Sequence, residues 1–512
     1  MDFVLYKKNI PILQYTEDDA HYITFVKVFN VLHLPPHLFT DGKPSSKNEY
    51  GLTQKLEDFF NNRIIPYTRK SFKEMLSELE IHSAEELAKK SFYLSLSDQY
   101  WVCPLSEMGK IWWDDINFFT NEYDSAIGLR LMTSSKALNK NSSSRSPDNT
   151  TGGELPKRWV RKNGINYLEK AGTGTEQQEP LNEVLATEIC RRLGIAHTPY
   201  TLEIWEENYY CLCPDIADES TEMIPLDSVY QDIPLKGGVK YEFSKLVERC
   251  NLLGIPNAET DLLKIFLLDF IIANEDRHSF NISFLRNSDT LEWIGVAPVY
   301  DSGKSMFLNK LDFEINQTSS FRIASKPFEE TQAKQFKALP MEKLASFIDF
   351  SALKDIQVWY KKFLSPLRRI SAEKKSALVQ QLGERIQEAR ILIKEKQSAA
   401  YEIKTYGAKT IGEPSQKYES LGYDGAMLAE KRADSRKKKT VRSKSEDLVF
   451  TALAQDSSQT KEELSALLGI SRATITRALQ TLVADGRIKR LGSNKTGRWE
   501  IAEPETDIQI NF

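Results

Sequence analysis

Residues 262–273 read Leu-Leu-Lys-Ile-Phe-Leu-Leu-Asp-Phe-Ile-Ile-Ala, and residues 274–281, directly after them, read Asn-Glu-Asp-Arg-His-Ser-Phe-Asn. The first stretch is apolar on nearly every side and predicts a helix buried in a core. The polar cluster must emerge at its end. A rigid buried helix that delivers a loop rich in Asp, His and Asn is a common mounting for catalytic side chains. Further on, the chain reads Tyr300-Asp301-Ser302-Gly303. An Asp, an Asn five positions later and a second Asp beyond a short hairpin-like stretch match the needs of phosphoryl transfer. One carboxylate receives or orients the proton of the nucleophile, while an amide oxygen and the other carboxylate hold magnesium against the phosphates. On spacing alone, a polar turn followed by an Asp-Ser-Gly turn accounts for the same residues.

The stretch resembles the catalytic loop of the HipA-like serine/threonine kinases, Asn-x-Asp-x-His-x-x-Asn followed by a short Asp-containing metal-binding motif. Asn274, Asp276, His278 and Asn281 fall on the first pattern and Asp301 on the second. The resemblance implies that Asp276 is the catalytic base and that Asn281 and Asp301 are the magnesium ligands. His278 is either catalytic or a histidine that packs the loop.

The order of features upstream points the same way. Residues 134–154 are rich in Ser, Asn, Thr and Gly and predict a flexible loop. It ends at Gly152 and Gly153, between hydroxyl residues and a strand over 158–161. Such a loop can bring backbone N–H groups close to phosphates, or it can be an ordinary hairpin loop. It lacks the Gly-x-x-x-x-Gly-Lys-Ser/Thr spacing of a Walker loop. A strand over 165–170 then ends in Lys170, and a helix over 180–193 carries Glu183 in its first turn. Taken singly, Lys170 reads as a solvated strand-end lysine and Glu183 as a carboxylate favoured by the helix dipole. In sequence, a glycine-containing loop, a strand lysine and a helix glutamate repeat the order of a kinase N-lobe. The HipA-like resemblance assigns Gly152, Gly153, Lys170 and Glu183 to ATP. Residues 207–215 would be the last N-lobe strand and the hinge. The polar stretch after Asp301, with Thr318, Ser319, Ser320, Phe321 and Arg322, is a candidate activation or substrate loop, or a plain surface loop.

The chain departs from the eukaryotic protein kinases in having Asp-Ser-Gly for Asp-Phe-Gly and in lacking His-Arg-Asp, which leaves lipid and small-molecule kinases open as relatives. Members of the HipA group can silence themselves by phosphorylating a serine before the kinase strand. Ser142, Ser143, Ser144 and Ser146 lie in that vicinity.

A length of 512 residues predicts about three domains, and 41% hydrophobic content suffices for a sizeable core. Five scattered cysteines argue for reduced thiols in a cytosol, and Cys211 and Cys213 have no second Cys/His pair at zinc spacing. The N-terminus has no signal or transit pattern, and the longest apolar run is far short of the ~20 residues of a membrane span. The expected location is cytoplasmic, with no membrane partner.

Charge is unevenly distributed. Residues 431–499 carry 16 Lys and Arg against 7 Asp and Glu, a net +9 that leaves −13 for the rest of a chain whose formal charge is −4. That asymmetry predicts an anionic partner for one end. Helical patterns over 445–453, 461–468 and 471–485, with Ser471 as N-cap, precede two strands over 486–491 and 497–501. The arrangement resembles a winged helix-turn-helix. Ile475, Ala478, Leu479 and Leu482 would face the core, leaving Arg472, Thr474, Thr476 and Arg477 for the major groove and Lys495 and Arg498 for phosphates. A winged helix used for protein contacts is the alternative.

These readings combine into an α+β chain. It would have an N-terminal accessory domain (1–130), a two-lobed HipA-like kinase (131–215 and 216–400), a basic linker (401–444) and a winged helix (445–503). ATP, Mg2+, a protein substrate, double-stranded DNA and a second copy of the chain are the implied partners. The competing readings are a nucleotide-sensing DNA-binding regulator, a lipid or small-molecule kinase, and a toxin–antitoxin component carrying its DNA-binding part in cis.

Overall fold

The computed structural model describes residues 1–18, 22–39, 49–133, 145–230, 237–328, 330–409, 449–450, 452–453, 457, 459–468, 472–491 and 498–501. The chain divides into two compact units, Met1–Ile411 and Gly412–Phe512. It is a mixed helix–strand protein in both.

The first unit opens with an antiparallel sheet of β1 (Asp2–Lys7), β2 (Ile10–Glu17), β3 (Ile23–Val28) and β4 (Tyr100–Pro104), in the order β3-β2-β1-β4. Side chains alternate across a strand, and β1 uses both faces. Phe3 and Leu5 join one core cluster with Ile12, Leu13 and Tyr15, while Val4 and Tyr6 join another with Trp101, Cys103 and Trp113. The aromatic density of residues 100–119 is thus spent on this sheet and on Trp159, which packs against the second cluster.

A second antiparallel sheet contains β5 (Lys157–Lys162), β6 (Ile165–Ala171), β7 (Thr201–Trp205) and β8 (Asn208–Pro214), in the order β5-β6-β8-β7. Its register sets Lys157 opposite Lys170. Between β6 and β7 runs helix α1 (Glu179–Leu193), which starts with a proline in its first turn and stops at Gly194, whose φ of +64° is cheap for glycine. A third sheet, β11-β10-β9, is built from β9 (Thr221–Pro225), β10 (Ser283–Asn287) and β11 (Trp293–Val296).

Helix α2 (Ala258–Ile271) is the apolar segment, and ten of its fourteen residues are buried. It packs in a cluster that includes Leu185 and Ile189 of α1, Phe336, Tyr360 and Leu382. A long helix, α3 (Ala372–Lys409), passes the expected end of the kinase region at residue 400 and continues into the span read as linker. Residues 401–409 (Tyr-Glu-Ile-Lys-Thr-Tyr-Gly-Ala-Lys) mix middling helix formers with a glycine and carry no clear apolar period, so nothing local marks the continuation. Among the described residues, no helix is long and apolar enough to cross a membrane.

In the second unit, α4 (Lys461–Leu468) and α5 (Arg472–Ala484) precede a paired β12 (Ile488–Leu491) and β13 (Arg498–Ile501). Ile475, Ala478, Leu479 and Leu482 are buried against Val449, Leu453 and Leu464, as their helical spacing predicts. Most of the 445–453 helix, Ser471 and Lys495 lie outside the described residues.

Candidate active site

Three of the predicted residues meet at one ammonium group. Lys170 Nζ donates to Glu183 Oε1 at 2.9 Å, Asp301 Oδ1 at 2.8 Å and the Tyr200 hydroxyl at 3.1 Å. Lys170 and Glu183 are buried. Burial alone would pull the Lys170 pKa down, but Asp301 and Glu183 outweigh it and hold the amine well above its ordinary range. Burial likewise pushes Asp301 up, and Lys170, Lys157 and Arg277 overcome it, so its carboxylate stays ionised far into acid.

Helix α1 positions the Asp301 segment as well as the lysine. Glu183 Oε2 accepts from the Ser302 N–H at 2.8 Å, Asn182 Nδ2 donates to the carbonyls of Gly303 and Ser305 at 2.7 and 2.8 Å, and Gln178 Nε2 donates to that of Met306 at 2.8 Å. Asp301 has a φ of +55°, a conformation that non-glycine residues hold only where surrounding contacts demand it.

The catalytic-loop candidates are joined to Asp301 through a residue that sequence reasoning passed over. Arg277 is buried. It forms a forked ion pair with Asp269 of α2 (Nε–Oδ2 3.0 Å, Nη2–Oδ1 2.9 Å), and it donates to the carbonyls of Asn281 (3.0 Å) and Tyr300 and to Ser302 Oγ (2.9 Å). Asn274 Nδ2 also reaches Asp269 at 2.9 Å. The available signal was Asp269 itself, an acid within an apolar run.

Asp276 faces two lysines, Lys326 on Oδ1 at 2.7 Å and Lys304 on Oδ2 at 3.0 Å. Burial raises its pKa, and these two partners more than reverse that. His278 Nδ1 accepts from the Phe280 N–H at 3.2 Å, and burial lowers its pKa, so the neutral ring braces the loop. Asn281 Nδ2 donates to the Asp276 carbonyl at 2.9 Å, which leaves its amide oxygen for another partner. That oxygen and the Asp301 carboxylate form an all-oxygen set that suits magnesium, an ion that keeps waters and binds together with phosphates. Among the described residues, no group of three or more His, Cys, Asp or Glu is placed to hold a metal, so phosphate oxygens would have to complete the shell.

Gly152 and Gly153 lie at the end of a segment held from the N-terminal part of the chain. The buried Arg69 donates to the carbonyls of Thr151, Gly152 (3.0 Å) and Gly153 (Nε, 3.0 Å). Gly153 has a φ of +84°, and a Cβ there would stand 2.7 Å from Lys157 Nζ. Lys157 is a further amine near the Lys170 cluster; burial pushes its pKa down to about 7 despite Asp301. Neither Arg69 nor Lys157 could be found from spacing, since the first acts across the chain and the second through strand register.

Ser146 is buried, with Oγ 3.2 Å from Asp148 Oδ2, so its hydroxyl is closed to phosphorylation in this arrangement. Ser142, Ser143 and Ser144 lie outside the described residues. A cavity of about 260 Å³ is lined by Arg63, Thr151, Gly152, Glu222, Phe280 and Tyr300 among others, but not by Lys170, Asp276 or Asp301. In the second unit, Arg472 and Arg477 are exposed, Thr474 and Thr476 half-buried, and Arg498 opens β13.

Residues 449–489 match the family described as winged helix-turn-helix DNA-binding. The chain is similar to the Helicobacter pylori proinflammatory kinase CtkA, with 18% identity, a TM-score of 0.37, and coverage of 50% of this chain and 94% of that one. It is also similar to a chain of the Shewanella oneidensis MR-1 toxin–antitoxin complex of HipA, HipB and operator DNA. There the identity is 13%, the TM-score 0.46, and the coverage 77% and 99%. At these levels each is a likeness only. No curated protein matches the chain in sequence.

Proposed function

We propose that the chain is an ATP- and magnesium-dependent serine/threonine kinase of two-lobed, HipA-like arrangement, coupled to a DNA-binding winged helix. The observation that carries the reading is the convergence of Lys170, Glu183 and Asp301, from a strand, a helix and a loop, on one buried ammonium. A structural ion pair would be complete with one acid. The second acid sits on a strained backbone and is partly exposed, as a group that must also meet a ligand should be.

In this reading Lys170, oriented by Glu183, meets the ATP phosphates from the β6 side. The loop at Gly152 and Gly153, with Lys157, lies along them, and the end of β8 receives the adenine. Asn281 and Asp301 hold magnesium, which supplies charge neutralisation between the phosphates. Asp276 orients the acceptor hydroxyl and takes its proton, and His278 keeps the loop in shape. The acceptor is a Ser or Thr of another protein or of the chain itself. Arg472, Thr474, Thr476 and Arg477 enter the major groove, while Lys495 and Arg498 contact phosphates.

One observation favours a second reading, a regulator that senses nucleotide without turning it over: both oxygens of Asp276 are occupied by ammonium groups. Purified wild type and Asp276→Ala, incubated with magnesium and γ-labelled ATP, separate the two. Label on protein or release of ADP that vanishes in the variant is the expected result. Nucleotide binding without turnover by the wild type would leave the sensing regulator. Arg472→Ala and Arg477→Ala are expected to weaken binding to a preferred duplex by about 1–3 kcal/mol and relax its specificity, and Arg498→Ala to lower the salt slope by about one; unchanged binding would indicate a protein-contact module. Growth arrest on expression that disappears with Asp276→Ala would mark a toxin.

A further inference from the structure

The catalytic loop itself offers no charge to a transferring phosphoryl group. Between Asp276 and Asn281 stand Arg277, His278, Ser279 and Phe280. Arg277 is buried and turned inward to Asp269 and the loop carbonyls. The ring of His278 is turned back on the loop, its Nδ1 accepting from the Phe280 N–H at 3.2 Å. Yet phosphoryl transfer spreads negative charge over three equatorial oxygens, and a site that performs it needs a cation there.

Lys304 is an exposed cation beside the candidate base. It lies three residues after Asp301, and its carbonyl accepts from the Glu275 N–H at 3.1 Å, which ties its backbone to the catalytic loop. Its ammonium is 3.0 Å from Asp276 Oδ2 and lies within electrostatic range of Asp301 and of Glu154 at the glycine segment. Those three carboxylates mark the base, the metal ligand and the phosphate loop. The side chain is 47% exposed, so the ammonium can turn while the backbone stays. Lys326 comes from a different segment and occupies the other oxygen of Asp276.

We propose that Lys304 is a further catalytic residue of the transfer reaction proposed above, on which this inference rests: it leaves Asp276 for the γ-phosphoryl group when ATP binds, while Lys326 remains and positions the carboxylate. In the step, the acceptor oxygen forms a bond to the γ-phosphorus, and the bond from that phosphorus to the β,γ-bridging oxygen breaks. Its electron pair leaves on ADP. The hydroxyl proton passes to the Asp276 oxygen that Lys304 has vacated. Lys304 keeps its protons and acts by charge alone. Asp276 is therefore masked in the free protein and unmasked by the nucleotide it works on.

The test uses full-length Lys304→Ala and Lys304→Arg, with transfer followed by γ-labelled ATP and binding of magnesium AMP-PNP and magnesium ADP by calorimetry. Lys304→Ala is expected to slow transfer about 10²-fold. It should weaken AMP-PNP about tenfold and leave ADP within about twofold, and Lys304→Arg should recover most of both losses. Transfer and AMP-PNP affinity equal to the wild type would overturn the assignment. So would equal weakening of both nucleotides, the mark of a structural role. A wild type that transfers no label sinks the kinase reading, and the AMP-PNP to ADP ratio then decides Lys304 by itself. If the wild type binds neither nucleotide, both proposals fall.

Discussion

Asp301 and Asp276 are both candidate functional carboxylates, and the chain treats them in opposite ways. Asp301 is fixed from inside. Its backbone is left-handed, its oxygen rests on the buried Lys170, and its neighbours are bonded to α1 and Arg277. Asp276 is fixed from outside, by Lys304 and Lys326, whose side chains are 47% and 44% exposed. The first carboxylate is preorganised, because moving it would unpair buried groups. The second can be released cheaply, because exposed ion pairs contribute little. Under the kinase proposal these would be a fixed metal ligand and a base that opens to substrate.

Arg277→Ala attacks the fixed side at its hub. It leaves Asp269 buried and unpaired and is expected to cost about 3–5 kcal/mol in urea unfolding. A loss near zero would mean that the inner network does not hold Asp301. Asp276→Asn attacks the releasable side. Transfer is expected to fall about 10²- to 10⁴-fold while the thermal midpoint moves by no more than about 2 °C. A large drop in midpoint would show that Asp276 is as structural as Asp301.

Asp148 sharpens the comparison with a smaller effect. It is fully buried, but it accepts from the Trp159 N–H at 2.7 Å and from Ser146 Oγ, with no cation in hydrogen-bond contact among the described residues. Burial pushes its pKa up to about 7, where Asp301 is held low by its lysines. The folded state thus binds the proton more tightly than the unfolded chain. Its contribution to stability is whole below the unfolded pKa of 3.8 and fades as pH rises through about 7. Asp148→Asn keeps the Trp159 bond on Oδ1 and reverses the Ser146 one, the amide Nδ2 donating to Oγ, so the variant should gain on the wild type by about 1–3 kcal/mol between pH 5 and pH 8 in denaturant titrations. A pH-independent difference would show that Asp148 is ionised throughout. Gly128→Ala should disturb the same pocket, since a Cβ there would stand 2.3 Å from Asp148 Oδ2. Its loss is expected at about 1–3 kcal/mol by the same titration; a neutral outcome would mean that the short helix Ala126–Thr133, which carries Gly128, shifts freely.

How much of the site was legible differs by residue for a physical reason. Asp276, Asn281 and Asp301 lie within one short span, and Lys170 and Glu183 come in a telling order, so a linear reading picks them out as candidates. Lys157 joins the group through its register with Lys170. Arg69 acts on a segment more than eighty residues away, and Lys326 approaches Asp276 from fifty residues downstream. Contacts of that span leave no periodic trace. The helix past residue 400 leaves no local signal for a different reason: residues 401–409 include a glycine and middling helix formers and have no apolar stripe, so they read as linker.

The amino-acid sequence by itself determined the elements and the chemistry they carry. These are a buried apolar helix ending in a polar loop, a strand lysine before a helix glutamate, and a basic winged-helix segment whose apolar residues recur at helical spacing. Local patterns suffice there, because periodicity and residue type act over a few neighbours. The tertiary structure alone decided which charges share a partner: Lys170 with two acids, Arg277 with Asp269, Asp276 with two lysines, and Asp148 with no cation in contact among the described residues. An ionisable group takes its protonation and mobility from what surrounds it in space, and those surroundings are assembled from segments far apart in the chain.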